Sequence, residues 1–170
     1  WKDSYPYSAI SAFALHPLLL NIETVAGKEN AEVATALSSK QEQLNKLPEL
    51  DYEEVIKIKI EAISKLYHLQ KTDFKDDLKF MNFFEFNRHW LEPYAAFSYL
   101  RDKYKTADFT TWKTNAVYDE SEIQQLVSPV QKHYDEIAVH YFTQYHLHLQ
   151  LKAATEYAHK NGIIIKGDIP

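Results

Sequence analysis

Between Lys28 and Asn161 the chain contains no glycine, a stretch of 134 residues. The whole sequence of 170 residues holds only Gly27, Gly162 and Gly167, where average usage would give roughly 12. Glycine is the residue that takes positive φ without a steric penalty, and hairpins, bulges, phosphate-cradling loops and nucleophile elbows all draw on it. A β-rich core, a nucleotide-binding loop and a G-x-S-x-G turn are therefore excluded from the long stretch, and helices are what remains.

The other constraints are broader. With 45% hydrophobic residues and 24 aromatics, the chain has enough apolar surface to bury one core of single-domain size. A net charge of −5, with no run of five like charges, offers no stripe for a phosphate backbone, so nucleic acid is not an expected partner. The absence of cysteine removes disulfides, thiolate metal sites and cysteine nucleophiles, and fits a reducing compartment. No apolar run reaches 18 residues, so no membrane association is expected. Trp1 in place of methionine, and Pro170 just after an apolar run, lead us to expect a piece of a longer protein.

Along the chain, residues 1–22 mix Pro6, Pro17, serines and aromatics without a sustained period, which reads as a turn-rich segment with a short strand over 18–22. Prolines at 48, 93 and 129 then divide helical patterns at about 30–46, 51–70, 73–92 and 94–105. Ser128-Pro129 reads as an N-cap and first turn. It opens a helix of about thirty residues whose stripe runs through Val130, Tyr134, Ile137, Tyr141, Tyr145, Leu149 and Ala153 and ends near Gly162. Ile163 to Ile165 read as a strand covered on both faces, hence parallel.

Several residues could carry chemistry, each with a plainer reading beside it. His140, His146 and His148 are close in sequence, but positions two apart on a helix point about 200° from each other, so H-x-H cannot hold one metal ion. His133 and His140 share a face without a carboxylate partner. Glu156-x-x-His159 is half of what a bundle di-iron site needs and has no second copy; His89-x-x-Glu92 runs in reverse order and reads as a surface ion pair. No metal or other cofactor is expected. Phe80, Phe84 and Tyr94 follow helical spacing and read as core, whereas Tyr5 and Tyr7 lie in a proline-turned loop that can face a ligand. Asp168, after Gly167 at the carboxyl end of the isoleucine run, is either a site residue of an α/β enzyme or the cap of a following turn.

KGDIP at 166–170, preceded by QLKAATEYAHKNGIII, resembles the segment of the 4-alpha-glucanotransferases (amylomaltases and disproportionating enzymes, glycoside hydrolase family 77) in which a helix leads into a strand closing on G-D-[LIM]-P. WKDSYPYSAISAFALHPLLLNI is similar to the family signature SPY-x-x-x-S-x-FA-x-NP-x-x-[IL], with Tyr5 where many members have serine and His16 where most have asparagine. FNRHWLEPYAAFSYLRD and HYFTQYHLHLQL extend the likeness through the middle, and DSYPYS, ALHP and YHLHLQL resemble the subgroup of the plant cytosolic disproportionating enzyme and its bacterial relatives.

The resemblance implies a mainly α chain: a helical subdomain at 28–128, flanked by pieces of a truncated (β/α)8 barrel at 1–27 and at 129–170. It implies a cytoplasmic enzyme that transfers α-1,4-glucan segments between maltodextrins by a retaining mechanism, with an aspartate nucleophile and a glutamate acid/base. Both catalytic residues are expected beyond Pro170, so this chain alone is expected to be inactive. Tyr7 and Asp168 match family positions that bind and orient sugar. An isoleucine strand without its barrel neighbours leaves an open edge and an apolar patch, so self-association of the isolated chain is expected. The alternative is a stand-alone helical interaction module without catalytic activity.

Overall fold

The computed structural model describes residues 9–167, and no β-strand occurs among them. After a 3-10 turn at Pro17–Leu19, the chain forms α1 (Ile22–Ala26), α2 (Ala31–Leu44), α3 (Tyr52–Asp76), α4 (Leu78–Tyr104), a 3-10 turn at Phe109–Thr111, α5 (Glu120–Leu126) and α6 (Tyr134–Lys160). The glycine-free stretch is thus helical, as its composition requires. Inside it only Lys105 and Asn115 take positive φ among the described non-glycine residues, and Lys105 does so as the left-handed C-cap of α4.

One core holds these elements together. Leu66, Tyr67, Leu91, Ala95, Ile137 and Phe142 are fully enclosed, and Leu20, Ile22 and Val25 join them from the N-terminal segment. Helices α4 and α6 lie antiparallel, with Phe84 edge-on to Tyr141 at 5.0 Å, Phe80 edge-on to Tyr145 at 5.5 Å, and Tyr99 stacked on His133 at 4.8 Å. Tyr67 of α3 donates a hydrogen bond to Asp135 at 2.8 Å, and Lys71 pairs with the same carboxylate at 2.6 Å. Those two bonds hold the Asp135 carboxyl down at about 2.

Several expected boundaries move. The joint anticipated at Pro93 is absent, since α4 runs through it. A proline inside a helix costs about 3 kcal/mol. The same helix buries Leu91, Tyr94, Tyr99 and Leu100, each worth about 1.5–3 kcal/mol, and packing wins. The break falls instead at Asp77, one residue that ends α3 and caps α4 by accepting from the Lys79 N–H at 2.8 Å. Phe74 and Phe80 meet across it at 3.8 Å.

Ser128-Pro129 is not the start of α6. It belongs to a turn in which the Gln131 N–H donates to the Ser128 carbonyl at 3.0 Å, and Val130 is 88% exposed. The helix starts at Tyr134, with Asp135 and Glu136 in the first turn where the helix dipole favours them. The expected strand over 18–22 is the 3-10 turn followed by the start of α1. Ile163 to Gly167 form no strand pairing either, because no described residue offers them a neighbouring ladder.

His16 occupies the capping place of the first 3-10 turn. Its Nδ1 accepts from the Leu18 N–H at 3.1 Å, the bond an asparagine side chain would make there. His16→Asn should therefore leave the urea midpoint almost unchanged, whereas His16→Leu should cost about 1 kcal/mol. Equal midpoints for the two variants would show that the cap contributes nothing.

Burial pushes His140 and His146 down to about 4 and lowers His16 as well. In each case the unfolded chain takes up the proton first, near pH 6.5, so the native state loses stability as pH falls from about 6.5 towards 4. The limit is roughly 3 kcal/mol for His140 or His146. Urea titrations across that window should show the decline, and replacing both by glutamine should flatten it. A midpoint independent of pH between 6.5 and 4 contradicts the buried, neutral state of these rings.

Candidate functional site

Tyr5, Tyr7 and Asp168 lie outside the described residues. What the structure describes is how the two segments leading to them are held, and both are fastened to α6. Downstream of Tyr7, the N-terminal segment runs alongside this helix. The Leu15 N–H donates to Gln144 Oε1 at 2.9 Å, and Gln144 Nε2 returns a bond to the Leu15 carbonyl at 2.8 Å. Six residues later along both the segment and the helix, Asn21 and Gln150 repeat it at 2.9 and 3.0 Å.

Each glutamine amide thus behaves like one rung of a β-ladder, offering an acceptor and a donor to a single residue's backbone. Six residues of helix advance about 9 Å, while six extended residues would cover about 20 Å. The 3-10 turn at Pro17–Leu19 takes up the difference, which is why the segment can meet both glutamines. On its other side, Lys59 of α3 donates to the carbonyls of Leu18 at 2.5 Å and Leu20 at 2.9 Å. Burial lowers the Lys59 ammonium below its ordinary value. Gln70 binds the Val25 carbonyl at 3.0 Å, so α1 is tied to α3 as well.

The other attachment is the end of α6. The Ile163 N–H donates to the Ala158 carbonyl at 2.9 Å and the Gly162 N–H to His159 at 3.0 Å, a Schellman ending with Gly162 at φ +73°. The chain then continues through Ile163, Ile164 and Ile165, all exposed, towards Asp168.

The remaining residues singled out from sequence are dispersed. His133 stacks on Tyr99, with Nε2 3.0 Å from the Leu126 carbonyl; since that oxygen can only accept, Nε2 carries the proton. His140 faces Tyr94, His146 lies against Phe142, and His148 against Phe83. Among the described residues no three His, Asp or Glu side chains converge on a point where a metal ion could sit. Glu156 pairs with Lys152, while Glu92 pairs with Arg88 at 3.4 Å and not with His89, whose ring meets Phe13. Phe80 and Tyr94 are core and Phe84 packs against it, as their spacing indicated.

An open cleft between the start of α3 and the end of α4 gathers Asp51, Glu54, Lys57 and Asp102 around Ile56 and Ile60. Glu53, Glu61 and Lys105 also line it; Asp51 caps α3, Glu54 pairs with Lys40 at 3.3 Å and Lys57 at 3.7 Å, and Asp102 pairs with Arg101 at 2.8 Å. Among the described residues, no helix is long and apolar enough to cross a membrane.

Sequence reading missed Gln144, Gln150 and Lys59. Gln144 left one trace, as a polar residue seven positions after Ile137 and three after Tyr141, on an otherwise apolar stripe. Gln150 and Lys59 left none, being ordinary helix-surface residues until the segment they bind is in place.

Comparison with known proteins agrees with the whole length of the chain. The profile of the 4-alpha-glucanotransferase family, glycoside hydrolase family 77, matches residues 1–170. The chain is 38% identical over 170 residues to the rice (Oryza sativa subsp. japonica) 4-alpha-glucanotransferase DPE2, covering all of this chain and 18% of that protein. It is 30% identical over 168 residues to the Chlamydia muridarum 4-alpha-glucanotransferase, covering 98% of this chain and 31% of that protein. With the Clostridium butyricum enzyme the identity is 29% over 174 residues, covering 97% of this chain and 33% of that protein. The chain therefore spans a third or less of the length of these relatives. No solved structure gives a significant match. With the profile matched from the first residue to the last, the chain belongs to the 4-alpha-glucanotransferase family.

Proposed function

We propose that this chain is one part of a cytoplasmic 4-alpha-glucanotransferase that moves α-1,4-glucan segments between maltodextrins. Residues 1–27 and 129–170 contribute to its barrel, and 28–128 form a helical subdomain. The observation that carries the reading is the family match over every residue, combined with a length of 18–33% of the relatives. The reaction is retaining. An aspartate attacks the anomeric carbon, and a glutamate protonates the leaving oxygen and then deprotonates the incoming 4-hydroxyl. Neither of those residues belongs to this chain. Tyr7 and Asp168 bind and orient the sugar at the reacting position, the aspartate by accepting from its hydroxyls.

The surface of the chain supports a larger setting. Only the first half of α6 is enclosed, its last buried residue being Leu147. Beyond it Leu151, Tyr157, Ile163, Ile164 and Ile165 stand in solvent at 52–89% exposure. Apolar side chains on one projecting helix and its extension need a covering element. In the intact enzyme that cover is the rest of the barrel.

Three measurements test this. Incubated with maltotriose, the isolated chain should release no glucose, and measurable disproportionation would refute the placement of the catalytic pair. In the intact enzyme Asp168→Asn should lower kcat/KM for maltotriose roughly 10- to 100-fold, the cost of removing a charged acceptor from a bound hydroxyl, and Tyr7→Phe by less. Wild-type kinetics in both variants would remove them from the site. The isolated chain should also self-associate through its isoleucines in sedimentation velocity. Ile164→Lys should restore a monomer, and a monomeric wild-type chain at micromolar concentration would show that the patch needs no cover.

A further inference from the structure

We propose that Asn161-Gly162, the junction at which α6 ends, is a site of spontaneous covalent modification, where the asparagine side chain closes on the next backbone nitrogen, loses ammonia and becomes aspartate or isoaspartate.

The chemistry needs an asparagine followed by a residue that does not crowd its own nitrogen. The Gly162 nitrogen gives up its proton and bonds to Cγ of Asn161. The Cγ–Nδ2 bond breaks, and the nitrogen departs as ammonia with that proton. Water then opens the five-membered ring at one of its two carbonyls, giving aspartate, or isoaspartate with the main chain routed through Cγ. No electron is exchanged, and water is the one co-reactant. Asn161 is the only asparagine of the sequence that precedes glycine. Around Gly162 the space is open, since no atom outside the adjoining residues lies within 4 Å of the place a Cβ would take. The other asparagines are worse placed: Asn82 and Asn87 lie inside α4, and Asn115 precedes an alanine and donates to Glu122 at 3.1 Å.

The helix ending sets the pace. The Gly162 N–H donates to the His159 carbonyl at 3.0 Å, and Asn161 Nδ2 donates to the Tyr157 carbonyl at 2.8 Å. Both reacting groups are therefore engaged until the last turn of α6 opens. That turn is weakly held: Asn161 and Gly162 are exposed, and Leu147, the last buried residue of the helix, lies about four turns back. Frayed helix ends open at little cost in free energy, so the reaction runs at the unfolded chain's rate multiplied by the open fraction. An element that covered Asn161 would also have to take the neighbouring Lys160 charge out of water, which is costly without a partner.

The product alters the ending that restrained it. A carboxylate at residue 161 stands at the negative end of the helix dipole, and the Tyr157 carbonyl loses its side-chain donor. Isoaspartate also lengthens the main chain between Ala158 and Ile163, whose bond at 2.9 Å closes the Schellman ending.

The test incubates the intact enzyme in mildly alkaline buffer, folded and unfolded in urea. Peptide mapping by mass spectrometry and enzymatic methylation of isoaspartate follow residue 161. In the folded enzyme Asn161 should convert ahead of every other asparagine of residues 1–170, within about tenfold of its rate in urea, and faster as pH rises. Asn161→Gln, whose ring would need six members, should leave the same peptide unmodified. Hydrogen exchange at Gly162 and Ile163 should quicken in aged wild-type enzyme and stay constant in aged Asn161→Gln. Conversion in urea with none in the folded enzyme over the same period overturns the proposal, as does an isoaspartyl signal of equal size in the Asn161→Gln peptide. Unchanged exchange in fully converted enzyme overturns the loosening of the helix end.

Discussion

The arrangement of this chain depends on a single residue, Asp77, and on the hydroxyl that reaches it. Two helices of 25 and 27 residues meet there with no glycine and no loop. A joint of one residue leaves the backbone one pair of dihedrals with which to redirect the chain, and Asp77 adopts φ −72° and ψ 114°, an extended conformation open to any L-residue. Its own N–H donates to the Phe74 carbonyl at 3.3 Å, its Oδ1 caps α4, and its Oδ2 accepts from the Tyr145 hydroxyl at 3.0 Å. That last bond ties the break to α6. It also makes the Tyr145 proton harder to remove: burial and the neighbouring carboxylate push the phenol up to about 12.

The helices on either side of this tie pack against α6. With the joint held beside Tyr145, α3 presents Phe74 and Tyr67 to Phe142, and α4 returns along the opposite side with Phe80, Phe84 and Tyr99. Phe74 touches Phe80, Phe142 and Tyr145, so aromatic rings from three helices meet within one turn of the break. The aromatic richness of the sequence is spent here, in edge-to-face and tilted contacts that add about 0.5–1.5 kcal/mol per pair beyond area burial.

The sequence showed what local chemistry decides and hid what tertiary packing decides. The end of α6 was readable because Asn161-Gly162 can make a left-handed ending at no steric cost, and the chain uses it as expected. The start of α6 was not, because a serine-proline pair signals a turn as well as a helix N-terminus, and stacking of His133 on Tyr99 selected the turn. Pro93 misled for the reverse reason: its local penalty is real but smaller than the burial around it. Tyr7 and Asp168 stood out by a proline-turned loop and by a place after an apolar run, their expected sugar-binding roles came from family motifs, and both lie outside the described residues. Glutamine on a helix has no sequence context that separates a solvated amide from one bonded to a chain 129 residues away.

Helix α6 couples these findings. Its 27 residues make a rod about 40 Å long, and Gln144, Gln150 and the Gly162 ending are carried on it at fixed spacing. The first half is immobilised by the core, Gln144 and Gln150 on either side of its middle grip the N-terminal segment, and the rest leaves the core and leads into the isoleucine run. Sharp kinks arise at proline, glycine pairs or bulges, and α6 contains neither proline nor glycine. The Leu15 attachment and the Gly162 ending are thus carried on one unbroken helix. The scarcity of glycine thus does more than exclude strands. It leaves the helix that carries both Gln144 and the Gly162 ending without a glycine at which to kink.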